Sequence, residues 1–241
     1  MAVRTVLFAF GGSVQDERGN VVLNSKGTLE AVKFVKALYQ ETMTPEVLAW
    51  DASSNNRAML AGKIALCLNA VSVTREGENK QIPVTPNIWL SQALQGPVRR
   101  IGMEHVMDCY VIWKFAENIG GAKKFLVDYI DNFRQGFLGS EFYNFPCFSS
   151  TVPDLAKLIA DDPKAMPHDK YKVLGTLMNQ ATNVGYPGYA NAAIDEIFNT
   201  WVLNSMFAKA ATGTLAPEAA IAEAEAGCKR IFAKWHDKGM V

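Results

Sequence analysis

The sequence predicts a helix-rich α/β fold, and three observations carry that prediction. Apolar residues recur at helical spacing in several long windows, beginning near residue 26. Only two short runs, Ile64 to Leu68 and Asp108 to Trp113, have the apolar and β-branched character of strands. The 241 residues are 49% hydrophobic and 20% charged, an ordinary globular composition for one large domain or two small ones.

Each element has a local reason. Met1 to Phe10 is an apolar run that reads as a buried first helix or strand; it lacks a small-residue cleavage site and does not read as a signal peptide. Asn24 or Ser25 can cap a helix from about Lys26 to Thr42, where Leu29, Val32, Val35 and Tyr39 form an apolar stripe and Lys33 and Lys36 stay wet. Pro45 stops it. Ser53 or Ser54 caps a short helix ending at Gly62, and Ile64 to Leu68 then reads as a buried strand. Residues 81–101 are loop-rich, with Pro83, Pro86, Gly96 and Pro97.

After the Asp108 to Trp113 strand, a helix from about Gly121 to Phe133 carries Ala122, Phe125, Leu126 and Tyr129 on its apolar face. Phe137 to Phe148 is an aromatic cluster that reads as packing. Helices follow from Thr151 to Ala160 and from about His168 to Ala181. Asn183 to Tyr189 is a loop, and a long helix runs from about Ala190 to Thr212. Thr214 caps the last helix, with Pro217 in its first turn, running to about Trp235.

Composition excludes several functions. Twenty-four basic and 24 acidic residues give a net charge of zero, which leaves no electrostatic footprint for nucleic acid. No apolar stretch reaches the roughly 18 residues of a membrane span. Cys67, Cys109, Cys147 and Cys228 form no C-x-x-C pair. Cys67 and Cys109 sit in apolar runs and read as small buried hydrophobes, a disulfide remaining open. His105, His168 and His236 lack metal-ligand spacing, and Glu104 beside His105 is not a catalytic pair. Ser13 follows Gly11-Gly12 rather than lying in G-x-S-x-G, and those glycines are not a dinucleotide fingerprint. The expectation is a chain that is not an enzyme, with no catalytic residue, metal or cofactor.

Three ordered segments carry a resemblance. The first is Gly11-Gly12-Ser13-Val14-Gln15-Asp16-Glu17-Arg18-Gly19-Asn20, then the amphipathic helix, then the polar run Asn55-Asn56-Arg57 leading into Ala58-Met59-Leu60-Ala61-Gly62-Lys63-Ile64-Ala65-Leu66 and on to Ser72. The second runs from Asp108 through Lys114, Asn118, Ala122 and Phe125-Leu126 to Tyr129. The third is Tyr186-Pro187-Gly188-Tyr189 with its helix, then Gly213-Thr214-Leu215-Ala216-Pro217-Glu218-Ala219-Ala220. Together they resemble the later part of an extracellular solute-binding protein of an ABC importer, of the sugar-binding, maltose-binding-protein-like family.

The resemblance implies a periplasmic-binding-protein type II-like C-terminal lobe that lacks most of the N-terminal lobe. Residues 1–241 would then be the C-terminal part of such a protein, with about 105–135 normally contributing to the N-lobe. It implies reversible binding of a carbohydrate or polyol in a cleft, delivery to ABC permease subunits, and a periplasmic or extracellular location. A lobe surface left apolar and exposed would also offer a route to a homodimer.

Sugars present a C–H face and many hydroxyls, so they are held by aromatic rings and planar polar side chains. Asn69 and Ser72, at the end of the first strand, are candidate hydrogen-bonding ligands; a plain turn is the competing reading. Tyr186, Tyr189 and Asn191 open the long helix, either against a ligand or as a loop staple. Trp50 can stack and Asp51 can accept hydroxyls, although capping by Asp51 or Ser53 explains the same pattern. The glycines after Phe10 either admit a solute to the backbone or serve only the turn. The alternative function is a helical protein-interaction or scaffold domain with no small-molecule site. A hydrolase with a scattered site is a third reading that no motif announces.

Overall fold

Hydrogen bonding is satisfied locally over most of this chain. In the computed structural model, which describes residues 2–101, 103–105 and 109–241, helices dominate. In chain order they are α1 (Ala2–Ala9), α2 (Lys26–Thr42), α3 (Ser54–Leu60), α4 (Ser72–Asn79), α5 (Ile119–Asp131), α6 (Phe133–Gly139), α7 (Leu155–Ala160), α8 (Ala192–Asn199), α9 (Val202–Ala211) and α10 (Pro217–His236). Short 3-10 turns lie at Pro45–Ala49, Thr85–Asn87 and Ser149–Thr151, and a longer one at Lys170–Asn179. Strands β1 (Met103–His105) and β2 (Ala181–Asn183) pair in parallel, Met103 opposite Ala181 and His105 opposite Asn183.

The chain divides into two units. The first comprises Met1–Asp51, Gln92–Val106 and Leu177–Val241. Its core is a helical bundle in which α9 packs on α2 and α10, and α1 packs on α2 and α9. Leu7, Val32, Ile194, Ile197, Leu203, Met206, Ile221 and Cys228 fill it. Ser25 caps α2 by accepting a hydrogen bond from the Thr28 amide at 3.2 Å. The apolar stripe expected for α2 is seated through Val32, which is fully buried.

The second unit comprises Ala52–Ser91 and Met107–Thr176. Here α3 packs on α4, with Met59, Leu60, Val73 and Ile88 as a small apolar core. Phe137 stacks on Phe142 at 4.9 Å and meets Phe145 edge-on at 5.5 Å. Phe137, Phe142 and Phe145 therefore pack together as expected, whereas Tyr143 (58%) and Phe148 (59%) are exposed. Beside it lies a buried ionic network. Arg75 pairs with Glu78 at 3.0 Å and Asp162 at 2.6 Å, and its guanidinium lies 3.9 Å from the Tyr171 ring centre. Lys170 pairs with Glu78 at 3.5 Å and donates to the Thr85 carbonyl at 2.9 Å.

Several expectations are corrected. Ile64 to Leu68 forms no strand; Leu66 is 69% and Leu68 44% exposed, so the run is an irregular surface segment. Residues 109–113 form no strand either, and Asp108 lies outside the described residues. Cys109 is exposed and Cys67 half-buried, whereas Cys228 is the buried thiol. The long helix expected over residues 190–212 is two helices, broken at Trp201, whose φ of 60° is left-handed. The last helix is entered through Ala216, with Pro217 as its first residue and no side-chain cap from Thr214. The segment after His168 is a 3-10 helix rather than an α-helix.

Candidate functional site

In the first unit two loops are stitched together by one buried side chain. Gln15, 1% exposed, donates from Nε2 to the carbonyls of Gly185 at 2.7 Å and Tyr189 at 2.8 Å. Its Oε1 accepts from Asn191 Nδ2 at 3.1 Å. Asn191 also caps α8, its Oδ1 accepting from the Ile194 amide at 2.9 Å. Ser13 Oγ donates to the Tyr186 carbonyl at 2.6 Å. Gly188 permits this closeness: a Cβ there would stand 2.7 Å from both the Asp16 carbonyl oxygen and Gln15 Nε2.

The Tyr186 ring is fixed from two sides. Phe8 meets it edge-on at 5.5 Å, and Arg99 Nη1 donates to its hydroxyl. The Arg99 guanidinium also lies 5.5 Å from the ring centre, within reach of a cation–π contact. Gly11 (φ +81°), Ser13, Gln15, Asp16, Ser25, Arg99, Tyr186 and Pro187 help line a hollow of about 180 Å³. That is below the roughly 300–1,000 Å³ of a complete small-molecule pocket. Asp16 at its edge organises the following turn, accepting from the amides of Arg18 at 2.8 Å and Asn20 at 2.9 Å. The Asn20 side chain holds the Asp16 carboxyl below its ordinary range.

Of the sequence candidates, Tyr186 and Asn191 stand in this constellation. Tyr189 contributes its carbonyl there and leaves its side chain 86% exposed. Trp50, half-buried, ends the Pro45–Ala49 turn, its amide donating to the Val47 carbonyl at 3.4 Å, and Asp51 follows it on the surface.

The second unit holds Asn69 and Ser72, joined through a residue not singled out individually before. Asn56, 9% exposed, accepts from Asn69 Nδ2 at 2.6 Å and donates to Ser72 Oγ at 3.3 Å. Asn69 Oδ1 also accepts from the Ala70 amide at 2.9 Å, which shapes the turn into α4. Glu76 lies close by; its carboxyl is held below the ordinary range chiefly by Lys80, with Asn56 adding to the effect.

A larger hollow of about 580 Å³ also lies within this unit, lined by charged residues including Arg75, Arg134, Glu141, Asp154, Asp162 and Lys164. These six charges are paired: Arg134 with Asp154 at 2.9 Å, Lys164 with Glu141 at 2.5 Å and Arg75 with Asp162. The cation beside each of Asp154 and Glu141 lowers its pKa. Among the described residues there is no group of three His, Cys, Asp or Glu that could hold a metal ion.

Gln15, Arg99 and Asn56 escaped the sequence reading as individual site residues. Gln15 lies inside the first motif, and Asn56 in the polar Asn55-Asn56-Arg57 run, so each had a positional signal. Arg99 had none, because its partner Tyr186 lies 87 residues away.

No family model matches this chain, and no curated protein matches it either. Solved structures do share its fold. A crystal structure ascribed to an oligosaccharide periplasmic-binding protein of Synechococcus sp. MITs9220 superposes with a TM-score of 0.73 at 15% identity, covering 97% of this chain and 59% of that one. Its zinc complex gives 0.73 at 16% identity, covering 97% and 58%. Maltose-bound MalE3 of T. maritima gives 0.66 at 18% identity, covering 95% and 56%. The chain thus spans less than two thirds of the length of these proteins, and its helix-rich fold is that of part of a periplasmic-binding protein, consistent with a C-terminal lobe. These neighbours are binding proteins rather than enzymes, and no helix among the described residues is long and apolar enough to cross a membrane.

Proposed function

We propose that the chain is a solute-recognition module that binds a small carbohydrate or polyol reversibly, without covalent chemistry, for delivery to the membrane subunits of an ABC importer. The observation that carries this reading is the fold: nearly the whole chain superposes on part of a structure ascribed to an oligosaccharide-binding protein. The first unit adds a suitable surface, since the fixed Tyr186 ring, Arg99 and Ser13 border a hollow with both an aromatic face and polar atoms. Such a mixture suits a sugar, whose ring face is apolar and whose rim is hydroxylated.

In this reading Tyr189 stacks on the sugar ring, Tyr186 and Asn191 shape the loop beneath it, and Trp50 and Asp51 offer a second ring and a hydroxyl acceptor. Within the second unit, taken by itself, Asn69 and Ser72 are the candidate hydrogen-bonding residues. Residues 1–241 form the C-terminal part of a longer type of binding protein, and 105–135 belong by descent to its N-lobe. The location that follows is periplasmic or extracellular.

Calorimetry and thermal shift against maltose, maltotriose and a panel of polyols test the proposal. The expected result is a saturable heat with at least one saccharide and a rise in Tm. Tyr189→Ala is expected to weaken that binding about tenfold, the loss of one stacking contact of ~1.4 kcal/mol. No heat and no shift with any saccharide or polyol at millimolar concentration overturns it. The alternative, a helical interaction domain without a small-molecule site, is favoured by one observation: aromatic side chains exposed on the second unit between residues 110 and 125.

A further inference from the structure

We propose that α5 and the segment leading into it form a self-association face whose occupant is a second copy of this chain. The proposal uses none of the residues assigned to the sugar.

The first observation is that none of the 13 residues of α5 is fully buried: Ala122, Leu126, Tyr129 and Ile130 are half-buried and the rest are exposed. A helix this short is marginal in isolation, and most helical stability in proteins comes from packing an apolar face. Its apolar surface is therefore only partly used: Phe125 is 66% and Val127 60% exposed. Immediately upstream Tyr110 is 58%, Val111 69%, Trp113 64% and Phe115 80% exposed.

The second observation is that these rings are ordered by one another. Trp113 stacks on Phe115 at 5.5 Å, Tyr110 meets Tyr129 edge-on at 5.4 Å, and Phe125 stacks on Tyr129 at 6.3 Å. The Tyr110 hydroxyl donates to that of Tyr129 at 3.2 Å. A face preorganised in this way loses little side-chain entropy when covered. An aromatic side chain offers about 150–250 Å². At the exposures given, Tyr110, Val111, Trp113, Phe115 and Phe125 together leave roughly 600–700 Å² open, close to the ~800 Å² that each partner of a standard interface buries.

The third observation selects the occupant. The polar flank of α5 carries Lys124 and, one turn later, Asp128. A two-fold interface in which α5 runs antiparallel to its copy places Lys124 of each chain opposite Asp128 of the other, and Phe125 near Tyr129. Lys114 and Glu117 add one charge of each sign at the rim. The face is thus self-complementary in charge as well as apolar. The chain as a whole is neutral, with 24 charges of each sign, so no net repulsion opposes association.

Sedimentation velocity of the full chain from about 1 to about 100 μM tests this, with circular dichroism as a check on folding. A concentration-dependent dimer is expected. Phe125→Glu should abolish it without changing helix content. Lys124→Asp and Asp128→Lys alone should each weaken it about tenfold, and the double exchange should restore it to within about threefold. A strict monomer at the highest concentration, a dimer indifferent to Phe125→Glu, or single exchanges that the double fails to rescue overturns the proposal. If Phe125→Glu loses helix content, the charge exchange, made at exposed positions, decides alone.

Discussion

Gln15 shows how much one side chain can hold. Its amide satisfies two carbonyls and one Asn side chain from a loop about 170 residues away, inside a site with 1% exposure. Gln15→Leu keeps the volume but removes the donors, leaving the Gly185 and Tyr189 carbonyls short of partners. Each stranded buried group costs ~1–3 kcal/mol, so a loss of about 3 kcal/mol is expected in urea denaturation followed by tryptophan fluorescence. A loss under ~0.5 kcal/mol would mean that the loops hold together without it. The sequence placed Gln15 in a motif yet could not reveal its job, because a glutamine's partners are set by what the fold brings to it. The same holds for Arg99 and Asn56. Tyr186 and Asn191 were legible because an aromatic-rich loop entering a helix carries its own signals, a capping Asn among them.

Elements were legible where their stabilisation is local. The helix over Lys26–Thr42 emerged with its span and with Ser25 as one of two candidate caps, since apolar periodicity and capping both act within a few residues. The expected strands at 64–68 and 109–113 did not form, because a strand's hydrogen bonds need a neighbour that the segment cannot supply, and β-propensity reports fit to a packed surface. The break between α8 and α9 was hidden for a different reason. Trp201 adopts φ 60° without being glycine, and its side chain is 64% exposed. A left-handed non-glycine residue costs ~1–2 kcal/mol. Trp201→Gly is therefore expected to raise stability by about 1 kcal/mol at little packing cost, read as a rise of a few degrees in Tm. A fall in Tm would show that the indole packs more than its exposure suggests.

Across the whole molecule, alkaline pH acts on both units. Burial pushes the Cys228 thiol up to about 12 from 9.0, and pushes the Tyr171 phenol above its ordinary 10.0. Each stays protonated in the folded chain where the unfolded chain has already lost the proton. The stability from Cys228 is therefore full below pH 9.0 and is lost as pH climbs toward about 12, at about 1.4 kcal/mol per pH unit. Lys170 works in the opposite sense. Burial lowers its ammonium pKa below 10.5, so stability rises as the folded chain sheds a proton that the unfolded chain retains. Cys228→Ala isolates the first effect. Between about pH 8 and about pH 11 the natural chain should lose about 2–3 kcal/mol more than this variant in urea titrations. Parallel losses would exclude the buried thiol as the cause.

By itself the sequence determined the helix-rich class, most helix positions, the zero net charge, and a likeness to a part of a binding protein. Those properties follow from periodicity, capping and net charge, each a sum over neighbouring residues. The tertiary structure alone decided the Gln15 stitch, the buried Arg75–Glu78–Lys170 network, and the exposure of the α5 face. Each depends on which distant surfaces meet or fail to meet, and burial is a property of that meeting, not of the residue type.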